Sequence, residues 1–171
     1  MVECAILICV KDRPTELALL LQSLRTQTYQ DFDVFILDDV SGTPLNAYYF
    51  LNAIITKITL EGHKVILERT EFPYGVSRAR QRIVDLAMKG DYKYFVRVDD
   101  DTILEPDYLE RLKKVVTKGY DIATGVTIPF APTMKRDPKF LKGIVNRIIL
   151  DKDGNFLFNG DDCGMPYTES I

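Results

Sequence analysis

From its first residues to about Thr127, this 171-residue chain alternates short apolar runs with stretches whose apolar residues recur at helical spacing. Such alternation is the mark of βα units, which build a largely parallel sheet with helices packed against it. The apolar runs predict strands at 5–10, 33–37, 64–67, 92–98 and 122–127. Between them, Pro14 opens a helix carrying Leu17, Leu20, Leu21 and Leu24 on one face, and Pro is favoured at a first helical position because its missing N–H would be unpaired there anyway. Further helices are predicted at 45–58, at 76–88 with Gly90 as a stop, and at 107–118 ending on Gly119. After Pro129 the pattern changes. Residues 147–150 and 155–158 flank Asp151-Lys152-Asp153-Gly154, where Asp-Gly signals a hairpin turn. That string is not read as a calcium loop, because its Gly stands fourth rather than sixth.

A chain of this length fits a single domain that buries roughly 70% of the surface its unfolded form exposes. Three cysteines without metal-type spacing, Cys4, Cys9 and Cys163, predict free thiols in a reducing compartment. A formal net charge of −3 argues against a nucleic-acid surface, which needs a basic field. No apolar run nears the roughly 20 residues that span a bilayer, and residues 1–10 lack the basic start and cleavage site of a signal peptide. The expected location is the cytoplasm, with peripheral attachment to a membrane's cytoplasmic face left open.

The most informative local feature is Asp99-Asp100-Asp101 at the end of the run 92–98, followed by Glu105-Pro106-Asp107. A strand projects residues two apart to the same side, so Asp99 and Asp101 are expected to face one way and form a two-carboxylate clamp. At roughly 6 Å and an effective dielectric near 20, two such anions repel by about 3 kcal/mol, which calls for a divalent cation or a raised pKa. Mg²⁺ or Mn²⁺ suits an all-oxygen site. The alternative is an acidic turn capping the helix that starts near Pro106. Other polar clusters also fall at strand ends: Lys11-Asp12-Arg13, Asp38-Asp39 and Glu68-Arg69. In an open α/β sheet the carboxyl ends of the strands form the ligand crevice. No glycine-rich phosphate loop is present, so diphosphate recognition would fall to a metal.

In their order and spacing, Ser23-Leu24-Arg25-Thr26-Gln27-Thr28-Tyr29, then Phe32 through Asp39, then Gly75-Val76-Ser77-Arg78-Ala79-Arg80-Gln81, then Asp99-Asp100-Asp101, the sequence resembles the family 2 glycosyltransferases. These are nucleotide-sugar-dependent enzymes of the GT-A fold, and the resemblance runs from about residue 4 to residue 110. It implies a Rossmann-like α/β fold with a mostly parallel sheet flanked by helices, followed by the small C-terminal hairpin. Residues 1–110 become the nucleotide-sugar-binding half and 111–171 the start of the acceptor half of one domain, which would be C-terminally truncated.

The resemblance also assigns roles. Asp39 would bind the nucleoside base or ribose, with capping of the next helix as its alternative; Cys9 and Val10 would meet the base through main-chain groups, with Asp12 nearby. The Asp-x-Asp motif falls on Asp99-Asp100-Asp101, with Asp99 nearest the ribose or metal, Asp100 beside the nucleotide sugar and Asp101 the main ligand of Mn²⁺ or Mg²⁺. Arg78 and Arg80 are candidates for the phosphates, although this chain has Gln81 where the family most often has Asn. An inverting transfer needs a base, and Asp161-Asp162 is the only late acidic pair, with an acidic loop or acceptor contact as its alternative. His63 reads as a surface residue away from the rim.

The implied activity is inverting transfer of a sugar from a nucleotide diphosphate sugar, UDP being the expected nucleotide, with the hexosyltransferase type expected. The acceptor could be a saccharide, a lipid-linked group or a protein. Two alternatives stand beside it: a nucleotide-sugar binding module without transfer, and a Mg²⁺-dependent aspartyl phosphatase with Asp99 as nucleophile.

Overall fold

The computed structural model describes residues 2–125 and the backbone of 148–150 and 156–158. The chain forms two compact units, Met1–Asp121 and Ile122–Ile171. In the first, strands β1 (Cys4–Val10), β2 (Phe32–Asp38), β3 (Val65–Arg69) and β4 (Tyr94–Arg97) pair in parallel in the order β3-β2-β1-β4. Central β1 and β2 are buried along nearly their whole length, which is why they read as continuous apolar runs.

Strand alternation splits those runs between two cores. Ile6, Ile8, Val10, Phe32, Val34 and Ile36 face one side, packed with Leu17, Leu20, Leu21 and Leu24 of α1 (Pro14–Arg25), Leu51 and Ile58 of α2 (Tyr49–Leu60), and Leu109 of α4 (Tyr108–Val116). Ala5, Leu7, Phe35 and Leu37 face the other, against Ala79, Ile83 and Ala87 of α3 (Gly75–Ala87). Leu17, Leu20, Leu21 and Leu24 have no exposed surface; burying each stabilises the fold by about 1.5–3 kcal/mol.

The predicted helix over 45–58 is broken. A 3₁₀ turn at Leu45–Ala47 ends at Tyr48, whose extended backbone (φ −87°, ψ 113°) interrupts the helical ladder before α2 starts afresh. No strand forms over residues 122–125, the described part of the predicted strand 122–127, because nothing among the described residues pairs with them. His63 is a further correction. It is buried, stacked on Phe32 at 4.2 Å, with ring nitrogens 2.7 Å from the Phe32 carbonyl and 2.9 Å from Gln30 Oε1. The turn at Glu61-Gly62 folds the ring back beneath the amino end of the sheet, so a residue expected at the surface joins the packing while staying far from the carboxyl-end rim.

In the second unit, β5 (Ile148–Leu150) pairs antiparallel with β6 (Phe156–Phe158), the hairpin that Asp153-Gly154 announces; the turn itself lies outside the described residues.

Candidate active site

Strand order sets where a ligand fits. β1, β2 and β3 follow one another toward one edge, and β4 lies on the other side of β1, so connections diverge between β1 and β4. At such a switch point the helices part and leave a crevice beyond the strand ends. A cleft of about 600 Å³ lies there, lined by residues 9–13 at and beyond the end of β1, Asp39 after β2, the first turns of α3, and residues 97–101 at and beyond the end of β4. Cys9, Val10, Asp12, Asp39, Arg80, Asp99, Asp100 and Asp101 all line it. Arg78 is exposed and outside the lining, consistent with its position two residues from Arg80 on the helix. Asp161 and Asp162 lie outside the described residues.

Asp39 is 6% exposed, and its carboxylate accepts backbone N–H groups of Tyr74 at 2.6 Å and Gly75 at 3.0 Å, with the Thr70 hydroxyl at 3.3 Å. It thus caps a helix, but α3 rather than the next one, reaching across the cleft floor. Negative charge suits this helix end, where unpaired N–H groups and the macrodipole converge. Gly75 has φ +70°, a left-handed conformation that lets the chain turn its N–H onto Asp39. Asp38, by contrast, belongs to the scaffold: buried at 1% exposure, it pairs with Arg69 at 2.6 Å and accepts the N–H of Ser41.

The β1 and β2 loops brace one another. Asp39 donates its N–H to the Val10 carbonyl, Asp12 donates its N–H to the Ser41 hydroxyl, and Asp12 Oδ1 accepts the Gly42 N–H at 2.6 Å. Asp12 therefore already has a structural partner for one carboxylate oxygen. Asp12 (φ 56°) and Val40 (φ 53°) are both left-handed, which for a β-branched residue costs about 1–2 kcal/mol. This strain sits beside the cleft.

The acidic triplet differs from its sequence reading. β4 ends at Arg97, and a Thr102 N–H to Asp99 carbonyl bond closes a turn around the acids, so strand alternation does not orient them. Asp99 turns to Arg80 at 3.4 Å, whereas Asp100 and Asp101 both face Arg13, at 3.2 and 2.8 Å. The repulsion expected to require a cation is thus partly balanced by two arginines. Burial pushes the Asp100 carboxyl upward in pKa, with Arg13 opposing that shift. Burial likewise raises the Cys9 thiol to about 11, so it stays protonated at neutral pH and acts as a small apolar lining group.

Arg13 and Arg97 are cleft residues that the motif reading missed. Arg13 stood in a polar cluster at a strand end, which was the available signal; Arg97 read as a strand residue and gave none.

A second set of contacts holds the segment after the triplet. Gln27, 4% exposed at the end of α1, donates to the Glu105 carbonyl at 2.8 Å and accepts the Leu109 N–H at 3.0 Å, while Ser23 Oγ accepts the Leu104 N–H and Thr28 donates its N–H to the Pro106 carbonyl. This accounts physically for Ser23, Gln27 and Thr28 in the motif: they tie the acidic turn and α4 to α1. Gln27→Leu is expected to destabilise the protein by about 2–4 kcal/mol, since it leaves the buried Leu109 N–H unpaired and removes the donor to the Ser23 and Glu105 carbonyls. Thermal unfolding should show a fall in Tm of roughly 5–15 °C; a change under 2 °C would mean that water replaces these bonds.

Among the described residues no three His, Cys, Asp or Glu side chains come together as a metal cage. The donor chemistry does suit an ion of the Mg²⁺ or Mn²⁺ type, which is commonly held by one or two carboxylates, with phosphates of a substrate and water completing the shell. Asp99 and Asp101, with side chains 58% and 52% exposed, are accessible for that; Asp100, at 11%, is less so.

The sequence matches the profile of glycosyl transferase family 2 over residues 5–165. The chain belongs to that family. No curated protein matches it significantly. Among solved structures, S. aureus TarS superposes with a TM-score of 0.55 at 17% identity, covering 68% of this chain and 20% of TarS. TarS 1–349 in complex with UDP-GlcNAc gives 0.53 at 15% identity, covering 68% of this chain and 31% of that one; its complex with UDP gives the same score and identity. The chain spans about a fifth to a third of these structures, and at such identity the likeness establishes the GT-A-like fold. Family 2 membership leaves no place for the aspartyl phosphatase alternative, whose nucleophile would normally end the first strand, whereas Asp99 follows β4.

Proposed function

We propose that this family 2 chain binds a nucleotide diphosphate sugar, UDP being the nucleotide, and transfers the sugar with inversion to a hydroxyl acceptor. The observation that carries this reading is the convergence of buried Asp39 and the acidic triplet on one cleft at the β1–β4 switch point. Asp39 would take an N–H or hydroxyl of the nucleoside on the lone pairs that Tyr74, Gly75 and Thr70 leave free, while backbone groups of Cys9 and Val10 border the base. Asp101, with Asp99, would hold Mn²⁺ or Mg²⁺. Such an ion acts as a Lewis acid that neutralises charge on the departing diphosphate. Arg80, beside Asp99, adds positive charge at the same rim. Asp162, or Asp161, would take the acceptor proton. Reduced thiols and an acidic net charge suit the cytoplasm or the cytoplasmic face of a membrane; no helix among the described residues is long and apolar enough to cross one.

The test is thermal unfolding of the full chain with UDP, GDP and their sugars, each with Mn²⁺ and again with EDTA. A ligand at 100 times its Kd adds about 2.7 kcal/mol, or roughly 5–10 °C here. A Mn²⁺-dependent shift with UDP ligands, accompanied by slow donor hydrolysis, supports the reading. A shift without hydrolysis or transfer favours a binding module, and no shift with any nucleotide removes the proposal.

A further inference from the structure

Arg13 is one of the two cleft arginines that no motif accounts for, and it contacts the acidic triplet. It immediately precedes Pro14, the first residue of α1, and its carbonyl accepts the Leu17 N–H at 3.1 Å, so its backbone is fixed by the helix start. The side chain is half exposed, and both of its bonds to the acids use one nitrogen, Nη1. The Nε–Nη2 edge forms no hydrogen bond among the described residues, and that edge is the fork with which a guanidinium holds two phosphate oxygens. The two acids differ as well. Asp100 is largely buried, whereas Asp101, the nearer partner, is half exposed and open to exchange.

We propose that Arg13 is a positioning residue that neutralises Asp100 and Asp101 when the cleft is empty, competes with a divalent cation for Asp101, and turns to the donor diphosphate once that cation is bound. The inference rests on the donor-site reading above. Arg13 holds Asp101 through Oδ2, and a guanidinium and a metal ion cannot both sit on that one oxygen without strong repulsion, so an ion that takes Oδ2 displaces Arg13 from Asp101. The displaced guanidinium then finds its compensation in the diphosphate, which arrives as the one new anion in the cleft. Metal and donor binding are thereby coupled: each is weaker without the other.

Two titrations of the full chain test this, with Tm confirming that each variant is folded. In the first, Mn²⁺ is titrated without nucleotide and free ion is read by electron paramagnetic resonance. Half-exposed ion pairs shift an equilibrium by up to about fivefold each. Arg13→Gln is therefore expected to bind Mn²⁺ about three- to tenfold more tightly than wild type, and Arg13→Lys, which keeps the charge, to stay near wild type. In the second, UDP is titrated by calorimetry with saturating Mn²⁺. Here Arg13→Gln is expected to bind about tenfold more weakly, with Arg13→Lys in between because it lacks the fork. Opposite signs in the two titrations are the signature, since a merely structural role would weaken both. Unchanged or weaker Mn²⁺ binding in Arg13→Gln, or unchanged UDP affinity, overturns the proposal while the donor reading stands on the wild type; wild type binding no UDP overturns both.

Discussion

Asp101→Asn is expected to reduce sugar transfer, or donor hydrolysis, about a thousandfold while leaving Tm within about 2 °C. The small stability change follows from exposure. Asp101 is half solvated and its bond to Arg13 is an exposed ion pair, worth at most about 1 kcal/mol. The large rate effect follows from the role proposed for its carboxylate. An ion that neutralises a leaving diphosphate supplies several kcal/mol to the transition state, and about 4 kcal/mol is a factor of a thousand. The amide keeps the shape but loses the charge that would hold the ion. Initial rates of UDP release from a UDP-sugar, measured against Mn²⁺ concentration, check this. A variant within tenfold of wild type at saturating Mn²⁺ would show that Asp101 does not hold the ion.

Asp39→Ala should show the converse balance, harming both stability and nucleotide binding. Its carboxylate satisfies two backbone N–H groups at the start of α3 and lies 6% exposed, so truncation leaves those donors unpaired and removes a charge that complements the helix end. The expected cost is about 2–4 kcal/mol, or roughly 5–15 °C in Tm. UDP affinity, measured by calorimetry at a temperature where the variant is folded, should fall by about 10- to 150-fold, the worth of a hydrogen bond to a charged group. Asp39→Asn separates the two effects, because its remaining carbonyl oxygen still accepts one N–H and recovers part of the stability. Full UDP affinity in a folded Asp39→Ala protein would assign the residue to capping alone.

The elements that were legible in the sequence are those whose signal is local and repeated. β1 and β2 read as continuous apolar runs because they occupy the sheet centre, and α1 reads from Pro14 and four leucines because one face packs on that sheet. The helix over 45–58 was misread since apolar spacing carries no mark of the extended Tyr48, whose conformation depends on how Leu45 and Leu51 seat in the core. His63 was misread because its burial comes from stacking on Phe32, 31 residues away in sequence. The acids at strand ends were found from their order alone, since parallel strands must all deliver their carboxyl ends to the same rim.

Sequence by itself thus determined the βα alternation, the rim on which chemistry gathers, and the family motifs that place Asp39 and Asp99-Asp100-Asp101 there. Tertiary structure decided the partners: that Asp39 caps α3, that Arg80 lines the cleft and Arg78 does not, that Gln27 ties down the acidic turn, and that Arg13 bridges two of its three acids. The reason is the range of the interactions. Hydrophobic period and turn chemistry act over a few residues and are written in the sequence where they act, whereas Arg13 and Asp101 meet across 88 positions, joined only when β4 pairs beside β1.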